Sequence, residues 1–362
     1  MSRPSPAPTD RQRAAIESPV GQNVVSAAAG AGKTDVLTRR VVRHVVEHGA
    51  DLNSILVVTF TEAAAAQMKA RVRDLLLAAA AARPNDARLR RQLLLLPGAP
   101  ISTIHAFARS LLTRHFHLLP GLDPGFRVLD ADESDLLRLE TAEALIGRLH
   151  ESGDDDAPLL EEALGGKRGT DLESRILDAN EFLDSLPDPE TWMANAASSA
   201  SAIPAAFLRV LGTFRRDLRA AKDRISAVDF ADLESLALRI LQDDAGNPTA
   251  VALALQRRFF EVLVDESQDL NPVQDRILSL VSRVGGEGKG NLFCVGDPKQ
   301  SIYRFRLADP GLFIRRLDRS PARTHRLPEN FRSRRRILDF ANAVFDALLR
   351  METARVPYEP DD

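Results

Sequence analysis

Cysteine and the larger aromatic residues are scarce in this sequence. Its 362 residues include one Cys, one Trp and two Tyr. A single cysteine, Cys294, excludes an internal disulfide and any metal site built from several thiolates, and it fits a reducing, cytoplasmic environment. Cys294 lies in the apolar run 291–295, which predicts a buried strand.

Long apolar runs are missing as well. No run approaches the roughly 20 apolar residues that a bilayer-spanning helix needs, so we expect no membrane partner. Residues 1–8 lack the apolar centre of a secretion signal and are rich in proline, which predicts a disordered tail.

A strong net charge is also absent, since the formal sum is −3. This value gives the chain no general attraction to nucleic acid. The sum hides an asymmetry, because acidic residues concentrate in 130–190 and arginines in 304–336. An arginine-rich stripe is typical either of a polyanion-binding surface or of a solvated helix face, and charge alone does not choose between them.

A loop of small residues lies between a short apolar run and a helical pattern. Residues 27–34 read Ala-Ala-Ala-Gly-Ala-Gly-Lys-Thr, which is G-x-x-x-x-G-K-T with Ala27 in place of the first glycine. Such a loop exposes backbone N–H groups to an anion, and the positive end of the following helix adds to the attraction. Lys33 would contact the β- and γ-phosphates, and the Thr34 hydroxyl would bind Mg²⁺. A small-residue loop without a ligand is the alternative. The predicted nucleotide-contacting residues of the loop are Ala27, Ala28, Ala29, Gly30, Ala31, Gly32, Lys33 and Thr34.

A second apolar strand pattern ends in acidic residues. Residues 261–269 read Glu-Val-Leu-Val-Asp-Glu-Ser-Gln-Asp. In a nucleotide hydrolase, one acid at such a strand end holds Mg²⁺ and the next orients or deprotonates the attacking water. We therefore assign Asp265 to the metal and Glu266 to the base. A strand ending in solvated acids is the alternative, but the loop at 27–34 in the same chain favours the hydrolase.

Other polar and aromatic side chains fall at predicted strand ends. Open α/β sheets place ligands at the carboxyl ends of their strands, and the patterns put Phe60, Thr103 and Gln300 there, with His105 just beyond Thr103. The Gln12 amide carries both a donor and an acceptor and could therefore pair with an adenine edge. A surface glutamine is the alternative for Gln12.

Two arginine-containing segments complete the series. Tyr303 and Phe305 alternate with arginines, Arg306 among them, a pattern that suits stacking on bases and contact with phosphates. Core aromatics with solvated arginines are the alternative. Further on, Arg332 stands at a predicted helix start, where it could contact a γ-phosphate. Between the two sheet-forming regions, residues 110–258 show mainly helical patterns and predict an all-helical insertion.

Together these residues resemble the UvrD/Rep-type superfamily 1 DNA helicases, and within them most closely the RecB and AddA helicase–nucleases. The resemblance covers nearly the whole chain, more loosely in the helical part, and alanine at position 27 is usual in that superfamily. The matching series consists of Gln12, the loop 27–34, residues 59–61 with 64, 65 and 68, and residues 102–107, 265–269, 295–306 and 330–333.

The resemblance implies an α/β fold: a RecA-like P-loop NTPase with a parallel sheet, an inserted all-helical subdomain and the start of a second RecA-like domain. It implies ATP and Mg²⁺ as cofactors and 3′-to-5′ movement on DNA driven by ATP hydrolysis. Its partners would be single-stranded DNA, duplex junctions and a nuclease or helicase subunit. The expected divisions are a tail at 1–8, motor parts at 9–109 and 259–320, the insertion at 110–258 and the second domain from 321 to 362.

The resemblance also implies a role for each matching residue. Gln12 and Phe331 would lie by the adenine, while Gln300 and Arg332 would sense the γ-phosphate. The single-strand path would be lined by Phe60, Thr103, His105, Tyr303, Phe305 and Arg306.

Two departures from the family pattern stand out. Asp35 occupies a position where some relatives carry an arginine. The later motifs of the second domain and any nuclease signature are missing, so we expect a helicase fragment or a truncated product. A nucleotide- and DNA-binding module without turnover, and an unrelated P-loop ATPase acting on proteins, remain as alternatives.

Overall fold

The computed structural model describes residues 7–153, 155–163, 170–283, 290–302, 307–319 and 323–348. It divides the chain into two compact units. We call residues 1–107 with 241–362 the sheet unit and residues 108–240 the helical unit. The proline-rich segment predicted as a tail falls mostly outside the described residues. No described helix combines the length and the apolar character that crossing a bilayer requires.

The described strands form one large sheet and one small one. They are β1 (Asn23–Ala27), β2 (Ile55–Thr59), β3 (Ile101–Thr103), β4 (Arg127–Val128), β5 (Ala227–Val228), β6 (Glu261–Val264), β7 (Leu292–Gly296) and β8 (Thr324–Leu327).

The described α-helices surround the large sheet or build the helical unit. They are α1 (Asp10–Glu17), α2 (Lys33–Val46), α3 (Glu62–Ala82), α4 (Ala87–Leu95), α5 (Ile104–His115), α6 (Ala131–Ser152), α7 (Asp156–Ala163), α8 (Thr170–Asp184), α9 (Pro189–Ser198), α10 (Ala202–Arg224), α11 (Phe230–Leu241), α12 (Ala250–Arg258), α13 (Pro272–Val281), α14 (Pro310–Arg319) and α15 (Arg335–Leu348).

The large sheet has the strand order β3-β2-β6-β7-β1-β8, and every neighbouring pair is parallel. The carboxyl ends of parallel strands meet at one edge, so the segments that follow β1, β2, β3, β6 and β7 all emerge there. The predicted RecA-like parallel sheet is confirmed.

The core of the sheet unit explains why its strands read as continuous apolar runs. Helices cover the sheet, so the residues of β2, β6 and β7 are buried whichever face they point to. Helix α2 contributes Val36, Leu37, Val41 and Val45, which recur at helical spacing and are fully buried. Each such side chain adds roughly 1.5–3 kcal/mol by leaving water.

A buried ion cluster ties α2 to β6. Arg40 Nε and Nη2 donate to the two oxygens of Glu261 at 2.8 and 2.6 Å, and His44 Nε2 lies 2.6 Å from the same carboxylate. The remaining Arg40 nitrogen, Nη1, donates to the carbonyls of Ala15, Ile16 and Ser18. The three ionisable side chains are fully buried. The cluster therefore fixes the helix that follows the loop 27–34 against the strand that carries Asp265.

Side-chain caps set the starts of several helices. In each case a side-chain oxygen accepts a backbone N–H of the first turn, which satisfies a donor that the helix itself leaves unpaired. The capping residues are Thr9 for α1, Thr61 for α3, Asp130 for α6 and Asn271 for α13.

The helical unit has a core of its own. Apolar residues of α6, α8 and α10, such as Leu145, Ile176 and Phe214, pack together there. A second buried cluster joins Lys222 Nζ to Asp229 and Asp232 at 2.7 Å each. These ion pairs give the segment after β5 a structural role.

Two expected boundaries differ from the structure. The helical unit ends at Ile240 rather than at residue 258, because α12 packs on α13 and Gln256 Nε2 donates to the Leu280 carbonyl at 2.8 Å. The boundary placed at residue 321 also moves. Strand β8 pairs with β1 over Thr324–Leu327 and so completes the large sheet.

Candidate nucleotide-binding site

The loop after β1 turns its carbonyl groups away from its centre. Four successive carbonyls accept hydrogen bonds from the surrounding chain. The donors are Ala31 N to Ala28 O at 3.1 Å, Asn330 Nδ2 to Ala29 O at 2.6 Å, Phe331 N to Gly30 O at 3.0 Å and Gln12 Nε2 to Ala31 O at 2.8 Å. With its carbonyls held outward, the loop can offer N–H groups of its own and of the first turn of α2 to an anion.

Glycine is required at two points of this loop. Gly30 and Gly32 have φ values of +77° and +82°, a region that side chains with a Cβ seldom occupy. Gly30 also lies so close to the segment after β8 that an added Cβ would be 2.8 Å from Asn330 Oδ1. The loop and the 330–333 segment therefore hold each other in place.

Lys33 lies at the centre of the candidate site. Its Nζ donates to Glu266 Oε2 at 2.6 Å and to Gln300 Oε1 at 3.3 Å. Lys33 thus meets, at the carboxyl edge of the sheet, two residues that lie 233 and 267 positions away in the chain. The structure brings together the predicted phosphate-binding lysine, the predicted base and the predicted sensor.

Asp265 ends β6 as a buried carboxyl group. Burial, strengthened by the neighbouring Glu266 charge, raises the pKa of Asp265 to about 6, although Lys33 acts in the opposite direction. The nearest cation is engaged by Glu266 instead. Asp265 thus carries a charge that the protein itself leaves poorly compensated, as expected of a group that binds a cation.

The predicted metal site has oxygen donors only, namely the Thr34 hydroxyl and the Asp265 carboxylate. This set fits Mg²⁺, which is commonly held by one or two protein groups together with phosphate oxygens. The described ranges contain no group of three or more His, Cys, Asp or Glu side chains that could hold a metal alone. Metal binding here would therefore depend on the nucleotide.

Glu266 has a strained backbone. Its φ and ψ are +47° and +46°, and it caps the short 3₁₀ turn Ser267–Asp269. A non-glycine residue in this region costs about 1–3 kcal/mol, and such strain concentrates at functional sites. The carboxylate is aimed at Lys33 from this conformation.

The hydrogen bonds of Gln300 define the orientation of its amide. Gln300 Nε2 donates to the buried carboxylate of Asp297 at 2.7 Å, and that group accepts only. The Gln300 carbonyl oxygen is therefore the atom that faces Lys33. In this arrangement Gln300 suits a water O–H better than a phosphate oxygen, so its predicted contact with the γ-phosphate requires the amide to turn.

The other predicted nucleotide contacts surround the loop. Arg332 is exposed, and its Cβ would lie 2.9 Å from a Cβ added to Gly30. Phe331 is 56% exposed, so its ring is accessible. Both ends of the Gln12 amide are engaged by the chain, since Oε1 accepts from Thr9 N at 3.0 Å and Nε2 donates to Ala31. An adenine contact through Gln12 stays a prediction and requires one of these bonds to open.

The predicted DNA contacts are less accessible than the nucleotide contacts. Phe60 and His105 are partly buried near the carboxyl edge of the sheet. Thr103 is buried, and its hydroxyl donates to Glu62 at 2.7 Å and accepts from Ala106 N at 3.2 Å. Tyr303, Phe305 and Arg306 lie outside the described residues. Contact with DNA stays a prediction for all six.

The structure adds two residues to the site that sequence reasoning missed. Asn330 braces the loop, and Asp297 orients Gln300. Both lie in the segments that carry the resemblance, but their partners are identified only by the folded contacts.

Comparisons with known proteins agree with this geometry. The model of the UvrD/REP helicase N-terminal domain matches residues 8–320. Proteins named as the first of the subunits of an ATP-dependent helicase/nuclease align with nearly the whole chain. Those of Moorella thermoacetica, Geobacillus kaustophilus and Pelotomaculum thermopropionicum are 33%, 31% and 30% identical, over 97%, 99% and 98% of this chain and 35%, 41% and 39% of their own lengths. The chain thus spans about two fifths of these relatives.

Proposed function

Because the chain belongs to the UvrD/REP helicase family, we propose that it is the ATP-hydrolysing part of a 3′-to-5′ DNA helicase motor that acts in recombination or repair. The arrangement of Lys33, Glu266 and Gln300 at the mouth of the outward-braced loop is the observation that carries this proposal. A simple strand ending in solvated acids would not place three such groups around one point.

In the proposed mechanism, loop N–H groups and Lys33 hold the β- and γ-phosphates. Lys33 leaves Glu266 to do so, since its Nζ cannot serve both at hydrogen-bond distance. Glu266 then has a free oxygen with which to accept a proton from the attacking water. Thr34 and Asp265 would hold Mg²⁺, which supplies positive charge to the phosphate oxygens. Arg332, at the loop, would add charge to the γ-phosphate.

The DNA path is proposed along the carboxyl edge of the sheet, past Phe60 and His105 and the segment 303–306. Stacking of aromatic side chains on bases would hold a single strand without regard to its sequence. Contact with duplex junctions and with a nuclease or helicase partner is part of the same proposal, as is a cytoplasmic location. The names of the relatives, which describe one subunit of a larger enzyme, support such a partner.

The test is Mg²⁺–ATP binding and steady-state hydrolysis by this chain, with and without single-stranded DNA. We expect Lys33→Ala to lose nucleotide binding, whereas Lys69→Ala on α3 should behave as wild type because Lys69 only approaches the Pro97 carbonyl. Hydrolysis that rises with DNA and disappears in Lys33→Ala would support the whole proposal. Unchanged nucleotide binding by Lys33→Ala would refute the site.

A further inference from the structure

Gln268 is a buried polar side chain that the proposed chemistry does not yet use. It is 1% exposed. Its Nε2 donates to Glu266 Oε2 and to Asp269 Oδ2 at 3.0 Å each, and its Oε1 accepts from Asp297 N at 3.0 Å. One amide thus joins the predicted base, a second acid and the end of β7.

The orientation of this amide follows from its partners. The Asp297 backbone N–H can only donate, so the carbonyl oxygen of Gln268 must face it. The NH₂ group must then face the two carboxylates, which only accept when ionised. The opposite orientation would set the Gln268 oxygen against two negative charges and leave a buried N–H without an acceptor.

The end of β7 is shaped for this contact. Gly296 precedes Asp297, and a Cβ added there would lie 2.5 Å from Gln268 Oε1 and 3.2 Å from Gln268 N. Even alanine would force the amide away. Glycine at this strand end therefore gives Gln268 the space to reach Asp297.

Gln268 and Lys33 share one acceptor. Both donate to Glu266 Oε2. When Lys33 turns to the phosphates, the bond from Gln268 is the one that remains on this oxygen, and the other oxygen of Glu266 is left for water. The strained backbone of Glu266 needs such support, because nothing in its own conformation favours that position.

We propose that Gln268 is a positioning residue that holds the Glu266 carboxylate for catalysis once Lys33 has left it, and that ties this carboxylate to the Asp297–Gln300 segment. The proposal rests on the proposed function, since it assigns Glu266 the role of base. Gln268 itself touches neither nucleotide nor water in this role. It acts through Glu266 and through the Asp297 amide.

The test compares three variants of the full chain. Gln268→Met keeps the length of the side chain but loses all three hydrogen bonds. Gln268→Glu keeps an oxygen for Asp297 N–H but cannot donate to Glu266. Gln256→Met is the matched control, because Gln256 also donates from Nε2 to a main-chain oxygen, that of Leu280, on the helix pair α12 and α13.

Two readouts separate positioning from a merely structural role. The affinity for Mg²⁺ and a slowly hydrolysed ATP analogue should stay within about threefold of wild type in all three variants, while single-turnover hydrolysis should fall about 10²-fold in both Gln268 variants and not in the control. The analogue should also slow amide exchange across residues 296–302 in wild type and in Gln256→Met, and this effect should be lost in Gln268→Met.

The outcomes are distinguishable from a failure of the proposed function. If wild type does not bind the analogue, the nucleotide site is wrong. If wild type binds but exchange at 296–302 does not respond, or if Gln268→Met responds as wild type does, the positioning role is overturned. The exchange readout decides the matter even where the chain turns ATP over too slowly for kinetics.

Discussion

The two ends of β6 carry buried carboxyl groups in opposite electrostatic conditions. At the first residue, Glu261 meets Arg40 through two hydrogen bonds and His44 through a third. Although burial opposes ionisation, these bonds hold the pKa of Glu261 below its ordinary value. Just past the last residue, Asp265 has no cation of its own, and its pKa is raised to about 6.

The contrast separates structural charge from functional charge within one strand. A buried charge that is fully paired holds elements in register, whereas a buried charge that is left unpaired costs stability and waits for a partner from outside. Glu266 lies between these cases, because its partner Lys33 is needed elsewhere when phosphate binds. Replacing each acid by its amide should therefore give three different results.

The largest effect is expected at Glu266. Glu266→Gln should retain Mg²⁺–ATP binding and lower the hydrolysis rate about 10²–10⁴-fold, because the amide cannot accept the proton from water. Glu47→Gln, which alters an exposed acid paired with Arg43 at the end of α2, is the control. Binding isotherms and single-turnover kinetics make the measurement. A hydrolysis rate within threefold of wild type would remove Glu266 from the role of base.

The next largest effect is expected at Glu261. Glu261→Gln leaves the Arg40 charge buried without a counter-charge and should lower the free energy of unfolding by about 3–5 kcal/mol. Urea unfolding followed by circular dichroism reports the whole chain. Trp192, the only tryptophan, lies in the helical unit, so fluorescence reports that unit separately. A loss below about 1 kcal/mol would mean that the cluster merely offsets its own desolvation.

The sign should reverse at Asp265. Because its folded pKa lies above the unfolded value near 4, the folded state favours the protonated form, so stability from this group is gained as the pH falls through 6 and is lacking above it. Asp265→Asn should therefore stabilise the ligand-free chain on the order of 2–3 kcal/mol at pH 8, and the difference should vanish near pH 4.

Thermal unfolding at these two pH values, with and without Mg²⁺–ATP, checks the Asp265 prediction. Wild type should gain more stability from Mg²⁺–ATP than the variant does, since the lost carboxylate weakens binding to the folded state. A destabilised variant at pH 8 would show that Asp265 already has its charge compensated within the protein. The two ends of β6 would then be alike.

The parts of the site that sequence predicted are those carried by short segments. The loop 27–34 and the acids at 265 and 266 combine a local residue pattern with an adjacent strand or helix, and the rules for strand ends place them together. The parallel sheet follows from the same apolar runs. Such features need no knowledge of the distant partners of each residue.

The parts that sequence missed depend on long-range pairs. Arg40 and Glu261 are 221 positions apart, and Asn330 and the Ala29 carbonyl 301 apart. An arginine at helical spacing within α2 looks like a solvated face until β6 is in place. Strand β8 was assigned to a second domain because its pattern, Thr-His-Arg-Leu, lacks a buried run, which reflects its place at the sheet edge beside β1.

The smallest effect is expected for a carboxylate in the third condition, exposed and paired. Asp35 accepts from Arg39 Nε at 2.6 Å one turn along α2, and both side chains remain partly exposed. Solvent screens such a pair, so Asp35→Asn should cost only about 0.5 kcal/mol, part of it from the lost interaction with the positive helix end. The cost should shrink further in high salt, whereas the cost of Glu261→Gln should not, because salt does not reach a buried pair. Urea unfolding in low and high salt measures both. An Asp35 cost near that of Glu261, or an equal response to salt, would show that burial does not set the scale on which these carboxylates differ.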